Sequence, residues 1–164
     1  MIMVSRDPNP LGRFTSHHRL ATPVSPWERL KIRANTSPMM TRHRWLILYH
    51  GVSEKPQPNT SDHHLCSSAG VIVLSREHPQ NIPYRSTEPV LKPELPAECQ
   101  GTVAHVVFPK GIDRRDDLGT PERFDVYYGI ADNRIGAARL NVPAELAPEG
   151  SADSLNAKAS CDRP

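Results

Sequence analysis

Two runs of this chain end on groups that can do chemistry. Residues 44–51 read Arg-Trp-Leu-Ile-Leu-Tyr-His-Gly, an apolar run that closes on Tyr49, His50 and Gly51. Residues 124–132 read Phe-Asp-Val-Tyr-Tyr-Gly-Ile-Ala-Asp and close on Tyr127, Tyr128 and Asp132. An imidazole at a strand end can exchange a proton near neutral pH. A carboxylate there accepts hydrogen bonds. Each group also has an ordinary use: a strand-end histidine is often held by structural hydrogen bonds, Asp132 before Asn133 suits a turn, and the tyrosines suit packing. The recurrence of the pattern is what points to strand ends lining one site.

Other reactive types are less organised. His63, His64 and Cys66 are metal-ligand types, but their close spacing in a polar stretch makes no metal site, and none is assigned. Cys66, Cys99 and Cys161 form an odd, widely spaced set with no CxxC pair, which removes a zinc ribbon or a redox motif. Three reduced thiols fit a cytoplasmic protein. The first 50 residues hold eight Lys/Arg against Asp7 and Glu28, and the remainder twelve against sixteen acids. A cationic N-terminal third attracts anions such as phosphate. Nucleic acid is not an expected partner, because no basic stripe interleaves with aromatics. The start has no apolar signal-peptide core, and no apolar run approaches the ~20 residues of a membrane helix. The expectation is a soluble, cytoplasmic chain with no membrane partner.

Strands must position these groups. Trp27–Ile32 alternates apolar and charged residues. Trp45–Val52 and Ala69–Leu74 are short, β-branched or aromatic-rich runs bounded by turn residues. A short edge strand fits near Ile82–Ser86, inside the proline-rich stretch 77–101. Thr102–Phe108 reads as a strand closed by Pro109, and Phe124–Ile130 and Ile135–Val142 as the last two. Residues 53–67 and 113–123 read as polar loops. Seventeen prolines and only 5% aromatics mean that much of the chain is loop. No segment keeps apolar residues at helical spacing for three turns, so the class is all-β. Tyr49-His50-Gly51 aligns with Tyr127-Tyr128-Gly129, and Gly70–Leu74 with Gly136–Leu140. Strand, turn, strand recurring roughly every 65–80 residues is the cadence of propeller blades or of a meander.

Five motifs carry a more specific likeness. They are Trp27-Glu-Arg-Leu-Lys31-Ile32, Trp45-Leu-Ile-Leu-Tyr-His-Gly-Val52 and Tyr84-Arg-Ser-Thr-Glu-Pro-Val-Leu-Lys-Pro93, then Val106-Val-Phe-Pro109 and Val126-Tyr-Tyr-Gly-Ile-Ala-Asp132. In this order the chain resembles glycoside hydrolase family 130, the β-1,4-mannooligosaccharide phosphorylases and related β-mannosidases. By composition, residues 1–25 read as an irregular arm and 148–164 as a disordered tail. Between them, over 26–147, the resemblance implies part of a five-bladed β-propeller, about two blades. It also implies phosphorolysis with inversion. Inorganic phosphate, the co-substrate, attacks the anomeric carbon of a β-mannoside oligosaccharide to give mannose 1-phosphate, while an aspartic acid protonates the leaving oxygen.

Carried onto this chain, the family pattern makes Lys31 a phosphate ligand and His50 a phosphate-side donor. Asp132 and Tyr128 line the sugar pocket. No cofactor and no catalytic residue is assigned, because the general acid and the phosphate arginines are expected in a missing N-terminal part. The chain is then expected to be inactive alone, and to complete itself as a homo-oligomer or with a complementing N-terminal half. Two alternatives stand beside this: a noncatalytic propeller remnant acting as a binding or scaffold piece, and part of a β-mannoside hydrolase. The chain also departs from the family pattern. Arg33-Ala34-Asn35 stands where glycines usually follow the Lys-Ile pair, and Arg44 where a turn glycine precedes the tryptophan. His105 and Lys110 flank Val-Val-Phe-Pro, where asparagine and threonine are usual.

Overall fold

A computed structural model describes residues 2–4, 18–57 and 61–146. Among the described residues ten strands follow one another: β1 (Ile2–Val4), β2 (His18–Ala21), β3 (Lys31–Ala34), β4 (Met39–Thr41), β5 (Arg44–Pro56), β6 (His63–Leu74), β7 (Tyr84–Arg85), β8 (Val107–Arg114), β9 (Arg123–Ile130) and β10 (Arg134–Asn141). Helix is confined, among the described residues, to α1 (Pro96–Cys99) and the 3-10 turns Pro26–Glu28 and Asp116–Leu118. The protein is all-β. None of its described helices is long and apolar enough to cross a membrane.

The strands make three antiparallel sheets. β3, β5, β6 and β7 lie side by side in a five-stranded sheet, to which β4 adds along the start of β5. β8, β9 and β10 form a three-stranded sheet, and β1 pairs with β2. Because successive strand side chains alternate between faces, β5 sends Leu46, Leu48, His50 and Val52 one way and Ile47, Tyr49 and Gly51 the other. Both faces are covered. Leu46, Leu48, Val71 and Val73 pack against Phe124, Val126 and Val142. Ile47, Tyr49, Ile72 and Leu74 pack with Leu20, Ala21, Trp27, Ile32 and Ile82. A strand buried on both sides needs apolar residues at consecutive positions, and Trp45–Tyr49 supplies them.

Several boundaries differ from the sequence reading, each for a physical reason. Residues 53–67, read as a loop, are mostly ladder: β5 runs to Pro56 and β6 begins at His63. Backbone groups pair there without any need for apolar side chains, and the hairpin projects past the core. Trp27 lies in a 3-10 turn and not in a strand, because Pro26 sits at the turn's first position, where its fixed φ and missing N–H cost nothing. Pro109 does not close its strand. β8 starts at Val107 and continues to Arg114; as a sheet edge, with its register shifting between Pro109 and Gly111, it tolerates a proline. Two short strands, β1 and β2, fall within the range read as an irregular arm. The expected tail over 148–164, with Cys161, lies outside the described residues.

The internal repeat is offset by one residue from its sequence alignment. Tyr49 pairs with Gly70, and Tyr128, not Tyr127, pairs with Gly136. A second repeat accompanies it: Pro26-Trp27-Glu28 and Pro96-Ala97-Glu98 each precede the first strand of a sheet. In both, the glutamate is buried and accepts two backbone N–H groups, from Val24 and Ser25 at 2.9 and 3.0 Å, and from Glu94 and Leu95 at 2.9 and 3.0 Å.

Candidate functional site

Two sheet edges meet at His50. On β3, Arg33 pairs with His50 and Lys31 with Val52, so Lys31, Arg33 and His50 project from one face. β8 arrives from the other sheet. Ser67, which pairs with Val52 of β5, two residues on from His50, bridges to Val106 and donates its N–H to the carbonyl of His105 at 2.9 Å. This brings the Phe108 ring to 4.2 Å from the His50 ring. Lys110 Nζ then lies 4.3 Å over the Phe108 ring.

His50 is 3% exposed, and its Nδ1 lies 2.9 Å from Oδ1 of Asn35. That oxygen is an acceptor, which assigns the ring hydrogen to Nδ1 and leaves Nε2 for a ligand. Asn35 is held in place by the knot that ends β3. The N–H groups of Asn35 and Thr36 both bond the Leu48 carbonyl, and Thr36 Oγ1 accepts the Leu48 N–H at 3.0 Å. Burial, then the charges of Lys31, Arg33 and Lys110, lower the His50 pKa from 6.5 to about 4. The imidazole is therefore neutral at pH 7.

The surroundings are short of negative charge. Lys31, Arg33 and Lys110 are exposed and have no ion pair among the described residues, whereas Arg42, Arg85, Arg114 and Arg115 each hold a carboxylate. Asn35 Nδ2 is buried without a hydrogen-bond partner. Unmatched cations and an orphaned N–H beside a neutral imidazole are what an anion site needs.

The motifs extend to a family-wide match. The family model described as beta-1,4-mannooligosaccharide phosphorylase, of glycoside hydrolase family 130, covers residues 13–145. The chain belongs to glycoside hydrolase family 130. This family 130 chain is 31% identical over 141 residues to the beta-1,4-mannooligosaccharide phosphorylase of Ruminococcus albus, a match covering 86% of this chain and 39% of the relative. It is 36% identical over 112 residues to a beta-1,2-mannobiose phosphorylase of Thermoanaerobacter sp. (strain X514), covering 68% of this chain and 32% of the relative. Among solved structures, the beta-1,2-mannobiose phosphorylase from Listeria innocua, in complex with beta-1,2-mannobiose, superposes with a TM-score of 0.64 at 24% identity, covering 78% of this chain and 33% of that one. A glycosyl hydrolase from Bacteroides ovatus gives 0.62 at 22% identity, over 84% of this chain and 36% of that one. These two likenesses speak for the fold. The chain spans less than half the length of the relatives it matches.

Within this family 130 chain the expected site residues are distributed unevenly. Lys31 and His50 share a sheet face, as described. Asp132 is exposed in the β9–β10 turn, with φ of 57°. The turn is tied to the preceding segment by Ala131 N–H to the Val106 carbonyl at 3.0 Å and Val103 N–H to the Ala131 carbonyl at 3.1 Å. No hydrogen bond links Asp132 to Lys31 or His50. Tyr128 is 6% exposed and donates its hydroxyl to Glu98 at 2.8 Å; burial and that carboxylate push its pKa up to about 12. It packs under the hairpin and holds α1 to the sheet.

Arg33, Asn35 and Lys110, met in the sequence as departures from the family pattern, lie around His50. Strand alternation from Lys31 could have placed Arg33; nothing local places Lys110. His64 and Cys66 alternate away from His63 on β6, and the His64 ring stacks on His105 with centroids 4.1 Å apart. No group of three His, Cys, Asp or Glu able to hold a metal occurs among the described residues.

Proposed function

We propose that this chain carries the phosphate side of a β-mannoside phosphorylase site, where inorganic phosphate attacks the anomeric carbon of the mannoside with inversion. The observation that carries this reading is the group of unneutralised Lys31, neutral buried His50 and the Asn35 amide without an acceptor. A hydrogen phosphate dianion fits it. Lys31 and Asn35 Nδ2 donate to its oxygens, and His50 Nε2 takes the phosphate's own hydroxyl. The anion's charge then offsets the surrounding cations, raises the His50 pKa and lets the ring donate. A doubly charged nucleophile has to be held against its own repulsion, and preorganised donors do this best where water is excluded. A hydrolase activates a neutral water and has no use for such a cradle.

In the same reading Asp132, on its exposed turn, accepts from sugar hydroxyls, and Tyr128 supports that turn from within. The side chains around His50 are cationic, amide or aromatic, so the acid that protonates the leaving oxygen comes from elsewhere in the enzyme. The two larger sheets are neighbouring blades of a five-bladed propeller, with β3 and β8 as inner strands facing the central pocket. Their position at sheet edges and their shared cations support this. Further blades, from a second copy or a complementing half, then close the ring. The free thiols of Cys66 and Cys99 fit a cytoplasmic setting.

Phosphate binding tests the reading directly. Titration followed by phosphorus NMR is expected to show saturable binding that weakens by about tenfold or more in Lys31→Met and His50→Phe, each of which removes a charged or hydrogen-bonding contact to the anion. Mannose 1-phosphate formation from β-1,4-mannobiose and phosphate is expected only when the complementing blades are supplied. Phosphate affinity indifferent to both substitutions overturns the assignment.

A further inference from the structure

We infer that this site prefers a ligand with two adjacent anionic centres, a diphosphate group, over orthophosphate; the inference rests on the phosphate reading above. Lys31 and Arg33 stand two positions apart on one strand face, which separates their roots by roughly 7 Å. Flexible stems of that spacing converge on neighbouring phosphoryl groups, one cation to each. The Arg33 guanidinium adds a planar fork suited to paired phosphate oxygens.

The third cation comes from the other sheet. Lys110 falls where the register of β8 against β9 shifts between Pro109 and Gly111. A bulge of this kind bends the strand and re-aims a side chain; here the Lys110 ammonium lies over the Phe108 ring, which itself sits on His50. Three cations thus surround one imidazole from two edges, and none has a carboxylate partner among the described residues. Elsewhere the chain pairs its clustered arginines. Arg114 holds Asp116, and Arg115 holds both Asp117 and Asp125.

Charge matching separates the two anions. A phosphate group carries about 1.5 to 2 negative charges at neutral pH, fewer than the cations present, and His50 is neutral. A diphosphate brings a second charged centre and enough oxygens to meet Arg33 and Lys110 while Lys31 and the Asn35 N–H keep the first phosphoryl group.

The test is calorimetric titration of the full chain at neutral pH and one fixed ionic strength, with orthophosphate, inorganic pyrophosphate and ADP as probes. Pyrophosphate is expected to bind about tenfold more tightly than orthophosphate, as extra charge-assisted hydrogen bonds would give. In Arg33→Gly and in Lys110→Thr the ratio of the two affinities is expected to fall toward one, and Arg33→Lys to restore part of it. ADP matching pyrophosphate assigns the preference to the diphosphate group itself; ADP binding tightly without pyrophosphate assigns it to diphosphate esters. Equal affinities for orthophosphate and both diphosphates, or a ratio that the substitutions leave unchanged, overturn the inference and leave the phosphate site standing. No binding of any probe overturns both.

Discussion

Arg85 places one guanidinium nitrogen, Nη2, 2.9 and 2.8 Å from the two carboxylate oxygens of Glu28, with both side chains out of water. The same guanidinium donates from Nε to the Tyr49 hydroxyl at 3.1 Å and from Nη1 to the Thr22 carbonyl at 2.8 Å. Burial opposes the charge on Arg85, but Tyr49 and Glu28 outweigh it and its pKa is raised. Burial likewise pushes the Tyr49 hydroxyl up. Buried charges persist only when paired and hydrogen-bonded, and here almost every partner is supplied by a different segment. Since Tyr49 is the neighbour of His50 on β5, this network fixes the strand from the face opposite the cations.

Breaking that pair is expected to cost about 3–5 kcal/mol, because removing one partner strands an uncompensated charge. Glu28→Gln and Arg85→Met should each show the loss in urea unfolding, with the double variant losing less than the sum. Where the single variants unfold outright, Tyr49→Phe removes one hydrogen bond and should cost about 1 kcal/mol. Strict additivity of the two single losses would show that the pair is not coupled.

Arg44 adopts φ of 98° and His105 φ of 59°, in the region that favours glycine and, next, asparagine. These are two of the positions at which the resemblance implies glycine and asparagine. Arg44→Gly is therefore expected to raise stability by about 1 kcal/mol, and His105→Asn by a few tenths, since relieving an unfavourable backbone conformation is worth that much. A thermal midpoint unchanged or lowered in Arg44→Gly counts against the strain.

What could be read from the chain follows from where each signal lives. Trp45–Tyr49 and Gly70–Leu74 declare themselves as strands because both faces are buried and the apolar residues run on without a break. The ladder from Glu54 to Pro56 against His63 to Leu65 is silent, because backbone pairing in an exposed hairpin leaves side chains free to be polar. Pro109 misleads, since a proline stops a central strand but not a bulged edge. Lys31 and His50 stand in their motifs, and the register of β3 against β5 puts them on one sheet face. Arg33 needed only the alternation of β3. Lys110 was out of reach, because its place beside His50 depends on a bulge and on how two sheets dock. The one-residue slip in the repeat shows the same limit: Tyr127 and Tyr128 are alike as letters, and pairing with Gly136 decides which one turns inward.

Gly51 and Gly70 exist to admit the Trp27 ring. A Cβ on Gly51 would stand 2.6 Å from Trp27 Cζ3 and also strike Glu28 Cβ, and one on Gly70 would stand 2.7 and 2.8 Å from Trp27 ring carbons. Trp27 is pinned by its Nε1–H to the Thr87 carbonyl at 2.9 Å, so it cannot yield. Gly70→Ala is expected to cost about 1–3 kcal/mol, as overpacking does, and Gly51→Ala more, because a backbone-near atom is in the way. Pairing Gly70→Ala with Trp27→Phe should recover part of the loss, and the absence of any recovery in urea unfolding would exclude the ring as the cause.

His50 makes stability depend on pH in a defined direction. Its pKa is lowered from 6.5 to about 4 in the folded protein, so between those values the unfolded chain binds a proton that the native chain refuses. Stability from this group is complete above pH 6.5 and is lost as pH falls toward 4, by about 3 kcal/mol in all at 1.36 kcal/mol per unit. The difference in unfolding free energy between the natural chain and His50→Gln should shrink over that window and level off below it. Bound phosphate should reverse the shift: its charge raises the imidazole pKa, so binding near pH 5 should take up a proton, read as a buffer-dependent heat in calorimetry. A flat difference across the window, together with no proton uptake, would mean that the ring is not the neutral, cation-surrounded group on which the anion site depends.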